Sequence, residues 1–324
     1  MNELIAADPS AIANIDVLKT LLTKFGPYAG RYLAEYPGEW QKQVRTNILP
    51  PNDGEIVPGE LETERALTLL FRRAEEKKIL IRQSRLQWDS TGSWLANAKR
   101  LLQDRPPPLH AIVASDGDPP KLISMNELWD EPPTTGEPIS SPPKEFARVA
   151  KILIYIGPEI AVVDQFLNPI RDANAEVLLP IFAAASMTGC SCQRISIWTK
   201  AKSVYGDKNA QKVNEDLDSA MLSLVRSSKL PKHVVVEIYL VDSHDFKHAR
   251  SLVSIHGGVR YDAGFRMPAK GDVNEVSPLD KRLHEMAIES FLEEEGKKKW
   301  KVQARTYVDG KIQPVINGRL VIKS

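Results

Sequence analysis

The chain has 324 residues, of which 42% are hydrophobic and 26% are charged, proportions typical of a globular protein. The formal net charge of +1 excludes a strong overall attraction to nucleic acid or to a membrane surface. We find no apolar run that could span a bilayer and no signal peptide at the N-terminus, so we expect a cytoplasmic protein without a membrane partner. The length suits two domains.

The first 130 residues predict a small mixed α/β domain for recognition or interaction, able to hold a protein partner. Residues 1–49 are predicted to be helical, because Asp8-Pro9 is a good helix start. Aromatic residues then recur every four positions, which favours core packing over a binding ridge: Tyr28, Tyr32, Tyr36 and Trp40. Further on, the pattern predicts a helix at 61–78, a strand at 79–88, a helix at 91–102 and a strand near 109–115.

A proline-rich stretch at residues 131–143 predicts a linker. It holds five prolines in thirteen residues, so we expect an extended spacer that packs as neither helix nor sheet. The second domain is then predicted at 144–324.

The second domain alternates helices with strands, which predicts a largely parallel sheet flanked by helices. The predicted strands are Glu159–Asp164, Arg194–Thr199 and 234–241, and the predicted helices end at Ile156, Ala185 and Ser227. In such sheets ligands bind at the carboxyl ends of the strands, where Asp164 and the turn at 242–245 lie.

The end of the chain is predicted to contain one helix from Ser277-Pro278 to about Glu295. Its expected inner face carries Leu279, Leu283, Met286, Ala287 and Phe291. The basic segment 297–301 could contact a phosphate backbone or could balance the acids at 293–295. Cys190 and Cys192 are expected to be reduced thiols, because a disulfide across one residue is strained and two sulfurs make no zinc site.

Chemistry-bearing residues concentrate in segment 233–266. His248 and Arg250 are two apart on a predicted strand, so their side chains share a face. A histidine can attack phosphorus or protonate a leaving oxygen, while an arginine stabilises the transition state without a metal. His244 and His256 are possible further members, and Gly257-Gly258 is predicted to form a turn that a substrate could approach. A metal site from His244, Asp245 and His248 has poor geometry on a turn and a strand.

Residues 159–164, 233–242 and 248–265 carry a resemblance to the phospholipase D-like superfamily, whose motif is His-x-Lys followed by Asp. The resemblance implies a phospholipase D-like sheet and a metal-independent phosphodiesterase without a cofactor, most simply a nuclease. It also implies that His248 is the nucleophile or general acid and that Arg250 binds the phosphate. Since the family uses two motifs and this chain has one, a homodimer is implied.

The chain departs from the family pattern at Ile255, where an aspartate is expected. Asp262, Glu285 or Asp164 would have to supply the missing carboxylate. The expected catalytic set is therefore His248, Arg250, His256, Asp262 and Glu285, and the expected substrate-binding set is Asp164, His244, Arg260, Gly257 and Gly258. No metal ligand is expected.

Three hypotheses remain open from the sequence. The first is a phosphodiesterase, most simply a nuclease, that acts as a homodimer. The second is a degenerate phospholipase D-like module that binds nucleic acid or a phospho-ligand without cleavage, for example in a phage-defence complex. The third is a structural adaptor between proteins. The aromatic residues of the first domain and the proline-rich stretch favour it.

Overall fold

A computed structural model describes residues 2–50, 58–82, 87–103, 111–113, 136–139, 143–206, 209–243, 246, 250–267, 272–313, 315–316 and 319–320. The chain forms two compact units, Asn2–Pro133 and Thr134–Ser324. Within the described ranges, no helix combines the length and the apolar character that crossing a membrane requires. The expectation of a mixed α/β protein is confirmed at this level.

The N-terminal unit contains a four-stranded parallel sheet in the order β3-β2-β1-β4. Its strands are β1 Glu3–Ala7, β2 Arg31–Glu35, β3 Leu80–Arg82 and β4 Ala111–Val113. A 3-10 turn at Pro9–Ala11 and four helices connect them: α1 Ile15–Thr23, α2 Trp40–Ile48, α3 Pro58–Glu76 and α4 Trp94–Gln103. Parallel pairing follows from these helical crossovers.

The prediction that residues 1–49 are helical is wrong, because two of the four strands lie there. Strand β2 is buried along its whole length, and β1 is buried in four of its five residues. Strands covered on both faces lose the alternation that would mark them as strands. Tyr32 therefore lies in β2, and only Trp40 lies on a helix. Tyr32, Tyr36 and Trp40 are nevertheless buried, as core packing requires, whereas Tyr28 is exposed.

The second unit contains a nine-stranded sheet in the order β13-β12-β8-β7-β6-β9-β10-β11-β5. Its strands are β5 Glu137–Ile139, β6 Glu159–Asp164, β7 Arg194–Lys200, β8 Val235–Val241, β9 Arg250–Ser254, β10 Gly257–Tyr261, β11 Asn274–Pro278, β12 Val302–Val308 and β13 Lys311–Gln313. Two short strands, β14 Val315–Ile316 and β15 Arg319–Leu320, pair separately. The helices are α5 Lys144–Ile156, α6 Asp172–Ala185, α7 Ala201–Tyr205, α8 Ala210–Ser227, α9 Lys281–Phe291 and α10 Glu294–Lys297.

The sheet is mixed, which corrects the prediction of a largely parallel sheet. Strands β6, β7 and β8 are parallel, and every other neighbouring pair in this sheet is antiparallel. Only Ile255 and His256 connect β9 to β10, and so short a connection forces antiparallel pairing. Gly257 and Gly258 belong to β10 and pair with Ser254 and Val253, so they are not the predicted turn. We call the edge where β6–β8 end the carboxyl edge, and the edge where they begin the amino edge.

The prediction that residues 131–143 pack as neither helix nor sheet is wrong in part, because Glu137–Ile139 forms strand β5 at one edge of the sheet. It pairs antiparallel with β11. An edge strand tolerates Pro138, since one side of such a strand needs no hydrogen bonds.

The helix predicted from Ser277-Pro278 to about Glu295 is present as Lys281–Phe291, but its predicted start is wrong. Ser277 and Pro278 end β11, and helix α9 starts after Asp280, whose carboxylate accepts a hydrogen bond from the backbone N–H of Leu283 at 2.9 Å. The buried side of α9 carries His284 and Phe291. Leu283 and Met286 are exposed, so the predicted inner face is rotated.

The basic segment near the C-terminus is neutralised by acids. Lys297, Lys298 and Lys299 pair with Glu159, Glu295 and Glu289, and Lys301 pairs with Asp242. Acidic residues therefore balance this segment, and it is not a free cationic patch. One of these acids, Glu159 on β6, lies outside the predicted acidic segment 293–295. Cys190 and Cys192 are free and buried, as expected, and burial raises the pKa of Cys192 to about 12.

Candidate ligand site at the carboxyl edge

Asp164 and Arg250 lie directly opposite each other on neighbouring strands. Asp164 is the last residue of β6 and Arg250 is the first residue of β9, and the antiparallel register pairs them. Directly opposite side chains in such a pair lie about 5 Å apart at Cβ. The two residues therefore mark one place at the carboxyl edge of the sheet.

The Asp164 carboxylate is buried and ties two loops together. One oxygen accepts a hydrogen bond from the backbone N–H of Phe166, and the other accepts one from the N–H of Phe265, each at 2.9 Å. Burial raises the pKa of Asp164, while these hydrogen bonds and the cations of Arg250 and Arg266 act in the opposite direction. With both oxygens engaged, the role that the geometry supports for Asp164 is to position the loops.

Two buried asparagines fix the loop that follows β10. Asn274 accepts a hydrogen bond from the N–H of Ala263 at 2.8 Å and donates one to the carbonyl of Gly264 at 2.9 Å. Asn174, in the first turn of α6, donates to the carbonyl of Phe265 at 2.5 Å. Buried side-chain amides that satisfy the backbone in this way hold a loop in one conformation.

Arg250 is half-buried, and its guanidinium has donors to spare. One terminal nitrogen donates to the carbonyl of Asp262. The guanidinium carbon lies 5.4 Å from the centroid of the Phe166 ring, which is 56% exposed. Nε and the second terminal nitrogen form no hydrogen bond within the residues that the structure describes. An arginine held by one hydrogen bond and one ring can offer its remaining donors to a phosphate.

Other basic residues follow the same strand ends. They are Arg171 before α6, Lys200 at the end of β7, Lys202 in α7 and Arg266 after β10. None of them forms an ion pair with another residue in the described ranges. The acids Asp242 and Asp262, by contrast, are paired with Lys301 and Arg260. Among the described residues Asp172, directly after Arg171, also forms no ion pair, so this group contains four unpaired cations and one unpaired acid.

Several residues predicted for the site lie at the amino edge instead. His256 follows β9, so the length of that strand, about 14 Å, separates it from Arg250. Its ring is buried, and its backbone N–H donates to Ser254 Oγ at 3.2 Å. Gly257 and Gly258 are next to it in β10. The structure thus separates His256, Gly257 and Gly258 from Arg250.

Glu285 is also outside the Arg250 neighbourhood. It is exposed on α9 and pairs with Lys281 at 3.9 Å, while its neighbour His284 bonds through Nε2 to the carbonyl of Ser254 at 2.8 Å. Ser254 ends β9 at the amino edge, so this part of α9 lies at that edge too. Ile255 packs against the apolar cluster beneath α9.

The backbone carbonyl of Asp262 accepts the hydrogen bond from Arg250. The Asp262 carboxylate instead pairs with the exposed Arg260 at 2.8 Å. His244 and His248 lie outside the described residues. Among the described residues, no group of three or more His, Cys, Asp or Glu side chains could hold a metal ion.

The sequence did not predict the four further cations of this edge, nor did it predict Phe166, Asn174 and Asn274. Phe166 offered a weak signal, since it is a large apolar residue two positions beyond the end of a buried strand. The asparagines offered none, because each reaches the loop after β10 across 10 or more residues of chain.

Comparison with known proteins adds little to this geometry. No known protein family and no curated protein matches the chain. A solved structure of TrmBL2, an archaeal chromatin protein with a novel mode of DNA binding, is similar at 10% identity, over 82% of this chain and 83% of that chain, with a TM-score of 0.27. A likeness this low supports no statement about fold or function.

Proposed function

We propose that the Thr134–Ser324 unit binds nucleic acid at its carboxyl edge, with Arg250 contacting a backbone phosphate. The observation that carries this proposal is the Arg250 guanidinium, held by the Asp262 carbonyl and the Phe166 ring with donors left over. An exposed aromatic ring beside a cation suits a base and its phosphate. Sequence-independent attraction comes from four cations that form no ion pair with the described residues: Arg171, Arg266, Lys200 and Lys202.

We also propose that this unit is phospholipase D-like in arrangement. The sequence resemblance supports this, as does the succession of β6, β7, β8 and the β9–β10 hairpin, with Arg250 at the start of β9. Among the described residues, the carboxylates beside Arg250 are those of Asp164 and Asp262, and both already have partners. General acid–base chemistry needs a free group within hydrogen-bond reach, so we propose binding rather than cleavage.

Fluorescence anisotropy with a labelled single strand of roughly 20 nucleotides tests the binding proposal. We expect Arg250→Gln to weaken binding about tenfold, as loss of one charge-assisted hydrogen bond would do. Arg282→Gln is the matched control, since Arg282 is exposed on α9 and forms no ion pair with the described residues. Equal losses in the two variants, or no binding by the wild type, would refute the proposal.

A phosphodiesterase is the second candidate, because His248 precedes Arg250 by two residues in the sequence. In this case two copies of His248 in a homodimer would share one phosphate, one attacking and one protonating the leaving oxygen. Cleavage of an oligonucleotide should then persist in EDTA and disappear in His248→Ala. Binding without turnover by a wild-type dimer would exclude this candidate and leave the binding proposal intact.

A further inference from the structure

A second cleft opens at the amino edge, between the sheet and α9, on the far side of β6–β8 from Arg250. Its volume is about 430 Å³, which lies within the range of small-molecule sites. The starts of all three parallel strands line it through Glu159, Arg194 and Val235, and α9 forms the opposite wall. No residue of the Arg250 site lines this cleft.

Two charged residues of the lining, Glu159 and Arg194, each pair with a buried residue of opposite charge. Lys297 Nζ is 3.0 Å from Glu159 Oε1, and an Arg194 terminal nitrogen is 3.1 Å from Glu237 Oε2. The side chains of Lys297 and Glu237 are only 8% and 5% exposed. Taking charges out of water is unfavourable, and such pairs rarely add net stability. Burial also raises the pKa of Glu159, and perturbed groups that line a cleft are typical of functional sites.

The charged residues retain hydrogen-bonding capacity towards the cleft. Arg194 uses one terminal nitrogen for Glu237, and its Nε and other terminal nitrogen bond to no described residue. Glu159 uses Oε1 for Lys297, and Oε2 has no hydrogen bond within the described chain. Glu293 adds an exposed carboxylate to the rim. The cleft therefore offers both cationic donors and carboxylate acceptors.

Much of the remaining wall is apolar, through Val235, Ile255, Ile288 and Leu292, while Gln193 and His233 add polar groups. Ile255, at the position where the family pattern has an aspartate, thus supplies a hydrophobic surface here. Branched aliphatic side chains bury apolar ligand groups, and a few placed polar groups then set the orientation of the ligand. A matching ligand needs an apolar body and a charged end.

We propose that this cleft binds a free α-amino acid with a branched apolar side chain. The ligand carboxylate would pair with Arg194, and its ammonium would pair with Glu159 and Glu293. Its side chain would lie against Ile255, Ile288 and Leu292. A simple carboxylic acid would leave Glu293 and the remaining oxygen of Glu159 without an ammonium partner. A simple amine would leave the remaining donors of Arg194 without a carboxylate, so only the zwitterion uses both.

Isothermal titration calorimetry of the full chain with L-leucine tests this inference. We expect saturable binding that is at least about tenfold tighter than that of 4-methylpentanoate or 3-methylbutylamine, which each lack one charge. Ile288→Glu should abolish it by placing a carboxylate on the apolar wall. The double variant Arg194→Met/Glu237→Met should also abolish it, without leaving one buried charge unpaired.

Two controls separate this site from its surroundings. Met286→Glu, on the exposed side of the same helix, should leave leucine binding unchanged. Arg250→Gln should do the same, because the two sites lie at opposite edges. The inference is overturned if leucine does not bind at about 10 mM, if the two singly charged analogues bind equally well, or if Ile288→Glu binds like the wild type.

Discussion

Asp164 and Gly264 are packed so closely that no side chain fits between them. A Cβ atom on Gly264 would clash with the Oδ2 atom of Asp164, and the same oxygen accepts the hydrogen bond from Phe265 N–H. The backbone of the loop after β10 therefore lies directly on the buried carboxylate, and Arg250 Cδ would be 3.3 Å from the same Cβ. This contact fixes the position of the Asp262 carbonyl that holds Arg250.

Replacing Gly264 by alanine should destabilise the second unit. The residue has φ of +77°, which an L side chain adopts at a cost, and the added Cβ would displace Asp164. We expect a loss of about 1–3 kcal/mol in urea denaturation. Gly310→Ala is the control, because Gly310 has φ of +65° but only ordinary contacts with Arg226. A loss no larger than in that control would show that the Asp164 contact is unimportant.

Asp164→Asn should loosen the same loop. An asparagine side chain has one carbonyl oxygen, so it can accept from Phe166 N–H or from Phe265 N–H but not from both. We expect a loss of about 1–3 kcal/mol, since one buried amide is left without a partner. Hydrogen exchange should accelerate at one of the two amides, Phe166 or Phe265. Asp262→Asn, at an exposed carboxylate, should change neither quantity, and unchanged exchange in Asp164→Asn would contradict the prediction.

His284 should make stability depend on pH. Burial lowers the pKa of His284, whereas its hydrogen bond to Ser254 and the charge of Glu285 act in the opposite direction. Since the folded-state pKa lies below the unfolded value of 6.5, the unfolded chain binds the proton first. The contribution of His284 to the free energy of unfolding should therefore be constant above about pH 6.5. It should decrease as the pH falls below that value, down to the folded-state pKa.

The measurement for His284 is urea denaturation between about pH 8 and pH 5. His284→Gln keeps a donor for the Ser254 carbonyl and removes the titration, so its stability should fall less on acidification than that of the wild type. His233→Gln, at an exposed position, serves as the comparison and should retain the wild-type slope. If the stability of His284→Gln and of the wild type decreased equally with pH, His284 would not be the cause of the pH dependence.

Lys297 and Lys298 should differ sharply although they are neighbours. The Lys297 side chain is 8% exposed, and its removal takes the ion-pair partner away from the partly buried Glu159, so Lys297→Met should cost about 2–4 kcal/mol. Lys298 forms an exposed pair with Glu295, and Lys298→Met should change stability little. Chemical denaturation of both variants checks this, and equal effects would mean that the buried pair contributes nothing.

The sequence predicted much of the central sheet. Strand β6 is predicted at its observed residues, because a short apolar run directly follows Gly-Pro and ends at an aspartate. The similar run in Glu3–Ala7 has no such boundary before it, and the helix start at Asp8-Pro9 favours a helix in this region. Pro278 favours a helix start, although it ends a strand near the sheet edge.

The site itself was predicted only in part. Asp164 and Arg250 were both selected, but their direct pairing was not, because antiparallel insertion of β9 beside β6 depends on contacts across about 90 residues of chain, which periodicity does not report. His256 and Glu285 were grouped with Arg250 because they are close in sequence or acidic. A five-residue strand carries His256 to the opposite edge, and α9 places Glu285 there as well.

The salt dependence of oligonucleotide binding tests the central claim most directly, because a phosphate contact releases counterions. For the wild type, the logarithm of the binding constant should fall linearly with the logarithm of salt concentration. Arg250→Gln should reduce that slope by about one ion, while Arg282→Gln should leave it unchanged. An unchanged slope in Arg250→Gln, measured alongside the wild type, would contradict a phosphate contact by Arg250.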